Sequence, residues 1–146
     1  MEDLFRIASL FRTAIEEAVR YGEIREMATF PCGCCAFASE LLQRYLIEQY
    51  DVPTWYVSGR YGYGWTGESH AWLETRDKVV IDITGDQYKY SEQLRFTEPV
   101  YIGVRRDGFH DKFELDEPLA YSKSEDQNQG FDRRYKVVTR HLKNEN

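Results

Sequence analysis

Apolar positions in the first twenty residues recur at helical spacing. Leu4, Ile7, Ala8, Leu10, Phe11, Ala14, Ile15, Ala18 and Val19 line one side, and Glu and Arg fill much of the other. This predicts an amphipathic helix over residues 3–20. Residues 21–31 carry no period, and Pro31 biases its predecessor away from helix. A second helix is expected to start near Cys34 or Cys35 and run to about Tyr50, with Phe37, Ala38, Leu41, Leu42, Tyr45 and Leu46 on its apolar face. Asp51-Val52-Pro53 breaks it.

The pattern then changes to that of strands. Residues 54–59, Thr-Trp-Tyr-Val-Ser-Gly, have the aromatic and β-branched content of a strand. Residues 61–67 read as an aromatic, glycine-rich loop that includes Tyr63 and Trp65. Residues 69–75 and 79–84 read as hairpin partners about a turn at 76–78, and 99–104 as a further strand. After Gly108 the pattern fades. Residues 122–130 are polar and aperiodic, which predicts a long loop, and 134–140 fit either a closing strand or a short helix. With no internal repeat, residues 1–146 are expected to form a single α+β domain, N-terminal helices packed on an antiparallel sheet.

Composition narrows the function classes. The chain has 146 residues, 42% of them apolar and 15% aromatic, enough for a core rich in large side chains. A formal net charge of −6 disfavours non-specific attraction to nucleic acid or anionic lipid. No apolar run approaches the roughly 20 residues that span a bilayer. The acidic, amphipathic start, Met1-Glu2-Asp3-Leu4-Phe5-Arg6, is unlike a signal peptide, so the expected compartment is the cytoplasm. Three cysteines within four positions, two of them adjacent, do not make a disulfide framework and are expected to be thiols.

Those cysteines open the candidate chemistry. Phe30-Pro31-Cys32-Gly33-Cys34-Cys35 leads into the second helix, His70 lies in the strand Ser69-His70-Ala71-Trp72, and Asp82 lies in Val79-Val80-Ile81-Asp82-Ile83. A helix N-terminus favours a thiolate through its unpaired N–H groups and positive dipole end. A nearby imidazole can hold that thiolate as an ion pair and later protonate a leaving group. A carboxylate on the neighbouring strand can fix the imidazole tautomer. Pairing centred near residue 77 sets residue 70 opposite about 84, which makes Asp82 a diagonal neighbour of His70 on the same face. Cys35 is thus the expected nucleophile, with Cys34, one residue away on the helix, as its rival. Cys32 reads as a packing residue or a redox-sensitive neighbour. Asp86, beside Gly85, reads as an ordinary turn aspartate, and Trp72 as core. His110 and His141 lie in weakly patterned sequence and are expected to be exposed.

The order and spacing of these residues resemble the transglutaminase-like branch of the papain-like cysteine enzyme superfamily. Its compact members include the small leader peptidases of lasso-peptide pathways. Cys32-Gly33-Cys34-Cys35 is similar to the Cys-Gly-Ser-Cys stretch of papain, although Ala36 replaces the aromatic residue found there. The resemblance covers about residues 30–90. It implies a helix-borne cysteine with histidine and aspartate on adjacent antiparallel strands, matched here by Cys35, His70 and Asp82. Papain-type enzymes place an oxyanion glutamine six residues before the nucleophile, where this chain has Thr29. The Cys35 backbone N–H, with Gln87 or a tyrosine hydroxyl, is the expected substitute, and Tyr63 and Trp65 would line the substrate cleft.

The expected activity is cysteine-dependent hydrolysis or acyl transfer at a peptide or isopeptide bond of a peptide or protein substrate, without cofactor or metal. Transglutaminase or deamidase chemistry on protein glutamine is the nearest alternative. The rival class is a non-catalytic binding module that keeps these residues as packing. A zinc site at Cys32, Cys34, Cys35 and His70 is disfavoured, because Cys-x-Cys-Cys lacks the usual knuckle spacing. No glycine-rich phosphate loop follows a strand. Oligomeric state is left open by the sequence.

Overall fold

The structure is a computed structural model that describes residues 3–62, 67–123 and 128–143. Among these, three helices, α1 (Leu4–Arg20), α2 (Cys35–Tyr50) and α3 (Gln129–Lys143), accompany an antiparallel sheet, so the fold is α+β as expected. The six strands are β1 (Thr54–Tyr61), β2 (Glu68–Thr75), β3 (Val80–Asp82), β4 (Tyr101–Gly103), β5 (Glu114–Leu115) and β6 (Leu119–Ala120). Their order is β4-β3-β2-β1-β5, with β6 also pairing with β1. No helix among the described residues is long and apolar enough to cross a membrane.

Local chemistry sets the helix ends. The Asp3 side chain accepts from the Arg6 N–H and caps α1. Helix α2 ends at Asp51 in the left-handed region (φ 54°), where the Val52 N–H returns to the Leu46 carbonyl. At the other end of α2, Gly33 (φ +70°) turns the chain so that Cys35 becomes the first helical residue.

Strand alternation sends β2 side chains into two cores. Leu73 joins Ile81, Ile7, Phe11, Leu41 and Leu46 between the sheet and the helices. Trp72 joins Val57, Val80, Tyr88, Phe109 and Phe113 in a second, aromatic cluster. Trp72 is fully buried, as expected, and its indole N–H donates to Glu74 at 2.9 Å. Truncating a core tryptophan of this kind costs about 3–5 kcal/mol.

The C-terminal third settles one open alternative and corrects one expectation. Residues 134–140 belong to the fifteen-residue helix α3, and its start at Gln129 shortens the loop expected over 122–130. The run Val137-Val138-Thr139 favours a strand locally. Burial of Phe131, Tyr135, Val138 and Leu142, at helical spacing against α1 and α2, overrides that preference. The short strands β5 and β6 were not expected at all.

Candidate active site

The hairpin of β2 and β3 pairs Leu73 with Ile81 and Glu74 with Val80, the register expected from a turn centred on residue 77. His70 and Asp82 therefore share a face, and His70 Nε2 lies 2.7 Å from Asp82 Oδ2. Both side chains are buried. The second carboxylate oxygen, Oδ1, accepts the Thr84 N–H at 2.9 Å. Asp82 is held well below the usual carboxylate range: burial opposes its charge, but the His70 charge and hydrogen bonds from His110 and His70 outweigh it. Burial likewise disfavours the His70 imidazolium, yet the Asp82 charge and hydrogen bond raise its pKa to about 9, with the Cys35 thiolate adding to the effect.

The remaining His70 nitrogen faces Gln87. The Gly33 N–H donates to Gln87 Oε1 at 3.2 Å, which turns Gln87 Nε2 toward His70 Nδ1 at 2.9 Å. At Cys35, burial works against a thiolate. Hydrogen bonding to His70, the charge of that ring, and hydrogen bonds from Gln87 and the Ala71 backbone bring its pKa below that of a free thiol.

The other two cysteines differ. Cys34 is buried in the main core, burial pushes its thiol up, and its S–H points to the Cys32 carbonyl at 3.4 Å. Cys32 is exposed, so it is not a packing residue. Tyr63 and Trp65, expected to line a substrate cleft, lie outside the described residues.

Gln87 sits on a 3₁₀ turn, Gly85–Tyr88, that is anchored from a distance. Arg12 of α1 donates to both carboxylate oxygens of Asp86, at 2.7 and 2.9 Å, and to the Ile83 and Pro99 carbonyls. Asp86 is therefore a buried ion-pair partner, unlike the ordinary turn aspartate the sequence suggests. In the same turn, a Cβ on Gly85 would stand 2.6 Å from the Phe96 ring and 3.1 Å from Asp82 Oδ2, so only glycine lets the turn lie this close to the carboxylate. The His70 ring is packed among Trp72, Tyr88, Phe109 and Phe113, with centroids 5.5–5.8 Å away.

The expectation of an exposed His110 is overturned: it is fully buried. Its Nε2 lies 2.6 Å from Asp82 Oδ2, and its Nδ1 lies 2.5 Å from Asp107 Oδ2. Asp107 Oδ1 also accepts the Phe109 and His110 N–H groups, which shapes the turn from Gly108 onward. The only hint in the sequence is Asp107 three residues ahead of the histidine. His141 is also less exposed than expected, set on α3 beside Glu17 and Glu23.

His70, Asp82 and His110 each offer a donor atom within 4.8 Å of the others, the outline of a metal cradle. Their donor atoms already engage one another at hydrogen-bond distance inside a cluster closed to solvent. No family model matches this chain, and no curated protein or solved structure does so either.

Proposed function

We propose that the chain is a cysteine-dependent hydrolase or acyltransferase acting on a peptide or isopeptide bond, of the transglutaminase-like kind that its sequence resembles. The observation that carries this reading is the polarity of His70: Nε2 is tied to a buried carboxylate, while the ring, with Gln87, stabilises a thiolate at the first residue of α2. That is the arrangement needed to activate a nucleophile and protonate a leaving group.

In this mechanism the Cys35 thiolate attacks the amide carbon, and the carbonyl π electrons move onto oxygen. The Cys35 N–H, at a helix end where amides lack intrahelical partners, and Gln87 Nε2 stabilise the oxyanion. The intermediate collapses by breaking the C–N bond, and His70 Nδ1 gives its proton to the departing amine. The resulting thioester is then attacked by water as His70 takes one of its protons. Collapse expels the Cys35 thiolate, releases the carboxylic acid and leaves His70 protonated. An amine in place of water gives acyl transfer, and glutamine as donor with water as acceptor gives deamidation. A reducing compartment such as the cytoplasm keeps the thiol available.

The test is the rate of iodoacetamide alkylation against pH, mapped to each cysteine, in wild type and His70→Ala. Cys35 should label fastest near pH 6, and His70→Ala should return it to free-thiol behaviour. Uniformly slow labelling that accelerates only on unfolding would sink the proposal and favour a binding module. A screen with amide and acyl probes then separates hydrolysis from transfer.

A further inference from the structure

We propose that His110, braced by Asp107, is a positioning residue for this reaction, locking the Asp82 carboxylate in the orientation that presents the Nδ1 side of His70 to Cys35. The inference rests on the reading of Cys35 and His70 as a working pair. It adds two residues, from a segment that the mechanism does not otherwise use.

Asp82 Oδ2 faces two imidazole nitrogens, at 2.7 Å from His70 and 2.6 Å from His110, while Oδ1 takes the Thr84 N–H. Donors from three segments fix the rotation of the carboxylate about its last bond, which is otherwise a broad, twofold torsion. A carboxylate oxygen only accepts, so each imidazole must bring an N–H to it. At His70 this assigns the proton to Nε2 and leaves Nδ1 to exchange a proton with Cys35. At His110 the second nitrogen faces Asp107 Oδ2 at 2.5 Å. The ring is thus held between two carboxylates, which fixes its tilt as well as its position. The charged and titratable groups around His110 are Asp82, Asp107, His70 (centroid 6.2 Å away) and the Tyr101 phenol, whose ring stacks at 5.2 Å. Trp72 and Phe109 close the remaining sides, so water does not compete for these bonds.

A merely structural histidine would leave the chemistry of Cys35 untouched, and this separates the two roles. His110→Phe keeps an aromatic ring, somewhat larger, and removes both donors. His110→Gln keeps one amide N–H near the position of Nε2. The experiment reads Cys35 alkylation by iodoacetamide from about pH 5 to about pH 9 in the full chain, with near-UV circular dichroism to verify folding. His110→Phe should slow labelling near pH 6 by about tenfold or more and move the midpoint toward a free thiol. His110→Gln should restore most of the wild-type profile. A folded His110→Phe with the wild-type profile overturns the proposal, as does a Gln variant no better than Phe. If His110→Phe does not fold, Asp107→Asn decides. Its single oxygen cannot serve both the ring and the two backbone N–H groups, so the midpoint should move the same way, and an unshifted midpoint overturns the proposal. A wild-type Cys35 that labels as an ordinary thiol overturns the reaction itself and this role with it. A fast wild-type Cys35 beside unshifted variants overturns only the role of His110.

Discussion

Replacing Asp82 by asparagine is the sharpest test of the buried network, because the side chain changes charge without changing shape. An imidazole of ordinary pKa 6.5 that titrates at about 9 in the fold holds its proton about 3 kcal/mol more tightly, a ratio of about 300. Asp82 supplies the largest favourable part of that grip, against burial that works the other way. Asp82→Asn removes the charge and leaves the desolvation, so His70 should titrate well below 9 in the variant, with only the Cys35 contribution left to raise it. The introduced amide also cannot satisfy its neighbours. With its oxygen toward the two imidazoles, its NH₂ faces the Thr84 N–H; with its oxygen toward Thr84, its NH₂ faces both rings. Breaking a buried charge pair in this way costs about 3–5 kcal/mol of stability. The assay is the pH profile of Cys35 alkylation, together with the histidine titration followed by NMR at a temperature where urea denaturation shows the variant folded. Labelling near pH 6 should fall by about tenfold or more, following the lost imidazolium. A folded Asp82→Asn in which His70 still titrates near 9 would refute the reasoning.

The same physics gives further expectations. His70 has a raised pKa, so its contribution to stability is fully present below about 6.5 and is lost as pH rises through about 9; the depressed Asp82 contributes above about 3.9, and that share is lost as pH falls further. Melting temperatures across pH should show both flanks, and a flat alkaline side would contradict the His70 assignment. Arg12→Met strands the buried Asp86 carboxylate and should cost about 3–5 kcal/mol in urea denaturation; a variant as stable as wild type would mean the pair is replaceable. Gly59→Ala sets a Cβ 2.7 Å from the Glu114 carbonyl, so β5 must move off β1, at a cost of about 1–3 kcal/mol. Hydrogen exchange in β5 should rise; unchanged protection would show that the strand absorbs the methyl group. Gln87→Ala should slow turnover of an identified substrate by about 10²–10³ and also weaken thiolate formation at Cys35, because Gln87 hydrogen-bonds the sulfur; turnover and labelling both unchanged would remove Gln87 from the site.

What could be read in advance follows sequence distance. The His70–Asp82 contact was legible because a three-residue turn fixes the hairpin register, and register fixes the face. Cys35 at the start of α2 was legible because Pro31, Gly33 and a helical pattern lie side by side. His110 was not, because its burial depends on docking against β3, which is 28 residues away, in a segment without a period. The Arg12–Asp86 clamp spans 74 residues and leaves no local trace, since an arginine on an amphipathic helix ordinarily marks its wet side. At α3, β-branched residues left strand and helix both open, and contacts with α1 and α2 decided for the helix.

The groups around Cys35 come from segments far apart in the chain: the start of α2, strands β2 and β3, the Gln87 turn held by α1, and the turn from Asp107. Before these segments close, the thiol has no charged imidazole beside it and reacts as any cysteine does. Under the proposed reading, a chain still emerging from the ribosome therefore carries no armed nucleophile, and neither does one caught half-folded. Reactivity becomes a report of completed folding, and the cell is spared stray acylation by unfinished copies.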